Sequence, residues 1–210
     1  MDYSKNVIAI FDKYAADYQQ KYMDVSLYHD TFDFFCDNII ISNPKILELA
    51  CGPGNITKYL LEKRSDLDIL GTDLAPKMLD LARQNNPNAT FELLDCRAIS
   101  SLKVHFDGIM CGFCLPYLSK KEAENLMSDA AKLLNKNGLI YISTMEDNHS
   151  KSGIQKSSKG DELFMNFHEE KYLSEALIIN GFEILKTERK ITFDASNNKV
   201  VDLILIAKLK

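Results

Sequence analysis

No apolar run in the 210-residue chain approaches the ~20 residues a helix needs to cross a bilayer, so a helical membrane span is excluded. The stretch from Val7 to Phe11 is short and flanked by charges, unlike a secretory leader. Basic residues are in deficit: 25 Lys and Arg against 30 Asp and Glu give a formal net charge of −5. A grip on phosphate backbones needs clustered cations, so no nucleic-acid partner is expected. The five cysteines, 36, 51, 96, 111 and 114, are an odd set inside apolar segments, which predicts reduced thiols in a cytoplasmic protein. Cys111-x-x-Cys114 has no second pair to complete a four-ligand zinc site, and no metal is expected. There is no internal repeat and no second domain, and a 46% hydrophobic content suffices for one core.

Residues 4–22 repeat apolar and aromatic side chains at helical spacing, with Tyr14, Tyr18 and Tyr22 four apart on one face. A second helical pattern follows over roughly 25–40, and Asn43-Pro44 then breaks the chain. From there the pattern predicts strand 45–50, helix 54–64, strand 68–73, helix 76–85, strands 90–94 and 106–111, helix 119–135, strand 139–145 and helix 168–179. Such alternation means a parallel sheet covered on both faces. Pro76 suits a first helical turn, and Gly138 and Gly181 follow helical runs as C-terminal caps. The tail departs from alternation: 181–193 and 199–209 are strand-like runs joined by the turn-rich 194–198, which predicts a hairpin. The expected architecture is a Rossmann-like α/β three-layer sandwich. Its sheet is mostly parallel and seven-stranded, with an antiparallel C-terminal strand. A helical segment 1–42 precedes a core at 43–210. The Ser-, Lys- and Gly-rich segment 147–161 reads as a loop or lid.

The stretch ILELACGPGNIT, residues 46–57, sets a strand and an acid directly against a glycine turn and a helix start. Gly52 and Gly54 allow the backbone to turn sharply and approach a ligand. A dinucleotide fingerprint would place a third glycine where this chain has Thr57. Asp73, 21 residues after Gly52, ends the second strand, where a carboxylate can accept hydrogen bonds from a ribose diol. Asp95-Cys96-Arg97 follows the third strand, where a carboxylate and a backbone N–H could read an adenine edge. Gly112-Phe113 follows the fourth. All four features lie at carboxyl ends of strands, the ligand-binding edge of open α/β sheets.

Taken together, ILELACGPGNIT, LGTDLAPKMLDLAR, ELLDCRA and LLNKNGLIYIS resemble the motifs of the class I S-adenosylmethionine-dependent methyltransferases, and FDKYAADY at 11–18 resembles the lid helix of their small-molecule members. The resemblance implies S-adenosyl-L-methionine as cofactor and S-adenosyl-L-homocysteine as product. It implies Glu48 and Gly52 around the amino-acid end, Asp73 on the ribose hydroxyls, and Leu74 and Met78 beside the adenine. Asp95 and Cys96 would take the adenine edge, and Gly112 and Phe113 would line the approach to the sulfonium. Ala50, Cys51, Asn55 and Arg97 complete the implied cofactor contacts, and the family often has glycine where Ala50 stands. Tyr14 or Tyr22 on the N-terminal helix would serve as a lid.

A methyl transfer needs alignment and exclusion of water; a general base is optional and depends on the nucleophile. The candidates are His168, His149, Tyr117 and Glu146. Lys151, Lys156 and Lys159 could attract an acidic substrate. The expected partner is a small-molecule acceptor, with oligomeric state left open. The rivals are an NAD-dependent oxidoreductase and a non-catalytic cofactor-binding regulatory subunit.

Overall fold

The computed structural model describes residues 4–156, 160–194 and 196–210, with backbone alone for residues 4 and 5. Three helices come first: α1 (Ser4–Lys13), α2 (Ala15–Tyr22) and, after a 3-10 turn, α3 (His29–Asp37). The core then runs β1 (Lys45–Leu49), α4 (Asn55–Lys63), β2 (Asp68–Asp73), α5 (Pro76–Asn85), β3 (Thr90–Leu93), β4 (Phe106–Gly112), α6 (Lys120–Leu133) and β5 (Leu134–Met145). A small antiparallel hairpin, β6 (Gly153–Lys156) and β7 (Glu162–Met165), precedes α7 (Glu170–Ile179), β8 (Phe182–Phe193) and β9 (Lys199–Leu209).

The main sheet has seven strands in the order β3-β2-β1-β4-β5-β9-β8. β1 to β5 are parallel, while β9 runs antiparallel between β5 and β8. This is the expected Rossmann-like arrangement. The central strands read as continuous apolar runs because both faces are covered. Leu47, Leu49, Ile109 and Cys111 face α6 and α7, whereas Ile46, Ile69 and Met110 face α3 and α4. Gly108 in β4 has a packing reason: a Cβ there would lie 2.7 Å from the Phe35 ring of α3.

Four local expectations change. The helix over 4–22 breaks at Tyr14, whose φ of −108° and ψ of 21° are not helical. There Phe11 and Tyr18 meet edge to face, with centroids 5.7 Å apart, and the Lys13 ammonium lies 4.6 Å over the Tyr14 ring. Gly138 does not cap α6, because the chain passes from Leu133 straight into β5; Asn137 takes the positive φ of 67°, and a Cβ on Gly138 would meet the Asn135 carbonyl at 2.9 Å. His168 does not begin α7 but forms a bridge with Glu146, its amide donating to Met145 at 3.3 Å. Segment 147–161 folds in part as a 3-10 turn and as β6, with residues 157–159 outside those described. Gly181 does follow α7 at a φ of 89°, its amide donating to Ile178 at 3.0 Å.

Phe35 is fully buried between α3 and the sheet, whereas Ile179 at the end of α7 is 83% exposed. Phe35→Ala should therefore cost about 3–5 kcal/mol, and Ile179→Ala should stay within about 0.5 kcal/mol of wild type. Urea unfolding of both variants checks the contrast; equal losses would contradict the packing described.

Candidate functional site

The site begins where β1 ends. Ala50, Gly52 and Gly54 all take left-handed conformations, with φ of 52°, 54° and 76°, and reverse the chain into α4. At Gly54 only glycine fits, since a Cβ would lie 2.3 Å from the Asn86 side chain, whose amide donates to the Gly54 carbonyl at 2.9 Å. At Ala50 the same geometry carries a methyl group, at a cost of about 1–2 kcal/mol that glycine would not incur.

Two carboxyl groups lie under and beside this turn. Asp73, at the tip of β2, accepts the Gly52 amide at 2.9 Å with one oxygen and the Ala75 amide at 2.8 Å with the other. Burial still pushes its carboxyl above the usual range, against the lowering effect of those amides. Glu48 is fully buried one strand over; Thr57 donates to one oxygen at 2.5 Å, and the other oxygen has no partner. Desolvation raises its pKa to about 8, opposed by the Thr57 bond and reinforced by the charge of Asp73. Thr57, in the place of a third glycine, thus satisfies a buried acid.

A cavity of about 160 Å³ opens beside the turn. Its floor is Ala50, Gly52 and Asp73, one wall is Leu74, Ala75 and Met78 from the start of α5, and the opposite wall is Gly112, Phe113, Cys114, Tyr117 and Leu118 after β4. Leu94, Asp95, Cys96 and Arg97 close the far end. There the Asp95 carboxylate accepts the Arg97 backbone amide at 2.9 Å and the guanidinium at 2.6 and 3.0 Å, and Arg97 reaches on to Glu122 at 3.2 Å. A ligand amino group at this end must share Asp95 with Arg97. The roof is Val7, Ile8 and Phe11 of α1 with Tyr18 of α2. Tyr18 lies directly over the turn, 3.7 Å from where a Gly52 Cβ would be, and Phe11 packs edge to face on Tyr117 at 5.3 Å. Burial raises the phenol pKa of both Tyr18 and Tyr117, so both remain protonated and neutral.

Of the residues singled out in the sequence, Ala50, Gly52, Asp73, Leu74, Met78, Asp95, Cys96, Arg97, Gly112, Phe113 and Tyr117 line this one cavity. Glu48 and Cys51 are buried beneath the turn, and Cys51 packs against Leu79 and Phe91. Asn55 ties α4 to the end of α2 by donating to the Tyr22 carbonyl at 2.8 Å, and neither it nor Tyr14 nor Tyr22 lines the cavity. His149 is exposed, with its Nδ1 3.1 Å from the Phe167 carbonyl. His168 is buried; its Nε2 donates to the Leu115 carbonyl at 2.8 Å and its Nδ1 meets the Tyr172 hydroxyl, and burial lowers its pKa. It braces the short 3-10 turn Leu115–Tyr117 from behind. Glu146 is held by Arg189 at 2.6 and 2.8 Å. Lys151 and Lys156 pair with Asp147 and Glu162, and Lys159 lies outside the described residues. Sequence reading missed Val7, Ile8, Phe11 and Tyr18 as lining residues. The i, i+1, i+4 spacing on α1 was their available signal.

The cavity fits an adenosine-bearing cofactor in one specific respect. Each Asp73 oxygen spends one lone pair on a backbone amide and keeps another, which is what two adjacent hydroxyls require. Among the described residues no group of three His, Cys, Asp or Glu side chains is arranged to hold a metal, and no helix is long and apolar enough to cross a membrane.

Residues 46–138 match the family model described as a methyltransferase domain. The malonyl-[acyl-carrier protein] O-methyltransferase of a Paenibacillus species is 30% identical over 114 residues, 51% of this chain and 41% of that protein. The chain spans about half the length of the curated relatives it matches. Among solved structures, the Synechocystis magnesium protoporphyrin IX methyltransferase with bound S-adenosylmethionine superposes with a TM-score of 0.74 at 19% identity, covering 100% of this chain and 98% of that one. The Burkholderia thailandensis 1,6-didemethyltoxoflavin-N1-methyltransferase gives 0.73 at 19% identity, covering 99% and 89%. The structural likeness is one of fold, and the sequence likeness falls on the strands and turns that build the cavity. The chain is thus similar, through the methyltransferase-domain match over residues 46–138 and in its fold, to the S-adenosylmethionine-dependent methyltransferases.

Proposed function

We propose that this chain binds S-adenosylmethionine in the cavity beneath α1 and α2 and transfers its methyl group to a small, uncharged acceptor, leaving S-adenosylhomocysteine. The observation that carries the reading is Asp73, fixed by the Gly52 and Ala75 amides with lone pairs left for a ribose diol. The cofactor supplies a methyl already activated by its sulfonium. What the protein adds is alignment and a dry site. Phe11, Tyr18, Phe113 and Tyr117 give the acceptor end aromatic walls and no free charge. A charged acceptor would lose its hydration there without a counter-ion, which argues for a neutral one. Tyr117 is the only one of the four general-base candidates at the cavity, and its raised pKa makes it a hydrogen-bonding group that orients an acceptor. Tyr14 and Tyr22 act one step back, through the packing of Tyr22 on Tyr18 at 4.5 Å and the break at Tyr14.

The oxidoreductase alternative meets an electrostatic obstacle. Asp73 sits at the glycine turn and lines the cavity, and a pyrophosphate there would face its carboxyl group where it needs donors and positive charge. A ligand with a cationic centre gains from the same group, while Glu48, buried and protonated beneath it, adds no charge. A small-molecule acceptor rests on the closed, apolar roof.

Three outcomes test this reading. S-adenosylhomocysteine at about a hundred times its Kd should add about 2.7 kcal/mol of stability, or roughly 5–10 °C in Tm for a chain of this size, and NADH should add nothing. Stabilisation by NADH alone would overturn the proposal. Asp73→Asn should weaken S-adenosylhomocysteine binding by about tenfold or more in calorimetry, because a hydrogen bond to a charged group is worth about 1.5–3 kcal/mol. Transfer of labelled methyl to a metabolite in an extract distinguishes an enzyme from a binding subunit.

Glu48 gives a pH signature. Folded, it keeps its proton to about pH 8; unfolded, it loses it near 4.5. The folded state therefore holds the extra proton between those values, so stability falls as pH rises through that window and levels off above it. Glu48→Gln removes this slope. Its stability relative to wild type should improve by on the order of 3 kcal/mol from about pH 5 to pH 8, read from urea unfolding; an unchanged difference would show that Glu48 ionises normally.

A further inference from the structure

The cavity wall after β4 contains a feature the transfer reaction does not use. Cys111 and Cys114 have their sulfurs 3.0 Å apart across the Gly112-Phe113 bend, and Cys114 also contacts the thiol of Cys96. Cys114 and Cys96 line the cavity, whereas Cys111 is completely buried behind them. The two remaining cysteines, Cys36 and Cys51, are buried and lie outside this cluster. A small polar oxidant can thus reach one member of the pair only through the ligand cavity, with the second thiol already in contact to resolve the product.

We propose that Cys111 and Cys114 form an oxidation site for peroxides, converted to a disulfide when the cavity is empty and shielded when the nucleoside end is filled. The Cys114 sulfur attacks one oxygen of hydrogen peroxide, giving a sulfenic acid and water; the Cys111 thiol then displaces the second oxygen as water and forms the sulfur–sulfur bond. Two thiols are oxidised, one peroxide is reduced, and two waters leave. The Cys111 contact and burial raise the Cys114 pKa against the lowering effect of Cys96, and the Cys114 contact and burial raise that of Cys96, so reaction proceeds through a small thiolate fraction and depends on access. Bonding draws the strand end of β4 towards Cys114 and pulls that side chain from Cys96. Both changes fall on walls that enclose the nucleoside. Oxidation and cofactor binding then oppose each other reciprocally.

The shielding half of the proposal rests on the cofactor reading above, and the experiment separates the two. Reduced full-length protein is treated with hydrogen peroxide with and without S-adenosylhomocysteine, then alkylated, digested with trypsin and weighed. Residues 104–120 fall on one peptide carrying both Cys111 and Cys114, and Cys96 falls on another, 84–97. The expected product is peptide 104–120 lighter by two hydrogens, forming about tenfold or more slowly when the cavity is saturated. The oxidised protein should bind S-adenosylhomocysteine about tenfold more weakly in calorimetry, with recovery on adding dithiothreitol. In Cys111→Ser, Cys114 should accumulate as a sulfenic acid trapped by dimedone; if that variant fails to fold, the wild-type peptide masses decide alone. A cross-link between the two peptides, over-oxidation without a disulfide, or equal rates with bound S-adenosylhomocysteine would overturn the proposal. Failure of S-adenosylhomocysteine to bind the reduced protein at all would instead defeat the functional reading, leaving the dithiol to be judged on its peptide mass.

Discussion

The site depends on one carboxylate. Asp73 closes the gap between the end of β2 and the turn after β1 by accepting the Gly52 amide, and it fixes the entry to α5 by accepting the Ala75 amide. Those two bonds orient three elements at once and leave the remaining lone pairs facing the cavity. Without them the Gly52 amide would be a donor lacking its partner at a partly buried turn, a state that costs about 1–3 kcal/mol. The parallel sheet makes this possible, because it brings the carboxyl ends of β1, β2 and β4 to one edge.

The electrostatics follow from that placement. Asp73 puts a carboxyl group at the glycine turn on the cavity floor, while Arg97 at the opposite end is already committed to Asp95 and Glu122. The cavity therefore presents acid at one end, a neutralised ion pair at the other and hydrocarbon between them. A ligand with a cationic amino-acid end, a sugar and a flat base matches that sequence of surfaces; a pyrophosphate does not.

Much of this was legible in the sequence because it rests on short-range rules. Strand and helix types come from apolar period and turn residues, and the loops after β1, β2, β3 and β4 were located as soon as those strands were. Eleven of the singled-out residues share one cavity for that reason. What was not legible depends on rotation and on long-range pairing. The tyrosine stripe gave no sign of the break at Tyr14 that leaves Tyr18, not Tyr14 or Tyr22, over Gly52. His168 looked available for proton transfer, yet its ring is spent on the Leu115 carbonyl and the Tyr172 hydroxyl, partners 53 and 4 residues away. The β6–β7 hairpin was hidden by its Ser- and Lys-rich setting, since four-residue strands carry too few alternations to stand out.

Backbone strain marks the cavity independently of these side chains. Among the described residues, five that are not glycine have positive φ: Asn43, Ala50, Phe113, Asn137 and Asn197. The three asparagines are of the type that tolerates the left-handed region, and none lines the cavity. Ala50 and Phe113 have no such tolerance, and both line it, at the floor and at the wall after β4. Strain of order 1–3 kcal/mol per residue persists only where the surroundings over-determine the conformation. At Ala50 the constraints are the Cys51 amide bonded to Thr72 at 2.9 Å and the Gly52 amide on Asp73; at Phe113 the amide donates to the carbonyl and hydroxyl of Ser143, both at 3.1 Å. Each strained residue is thus pinned by the neighbouring strand, one on the floor of the cavity and one on its wall. The stability given up there is the cost of holding the chain in a turn that shapes the cavity, which a relaxed turn would not do.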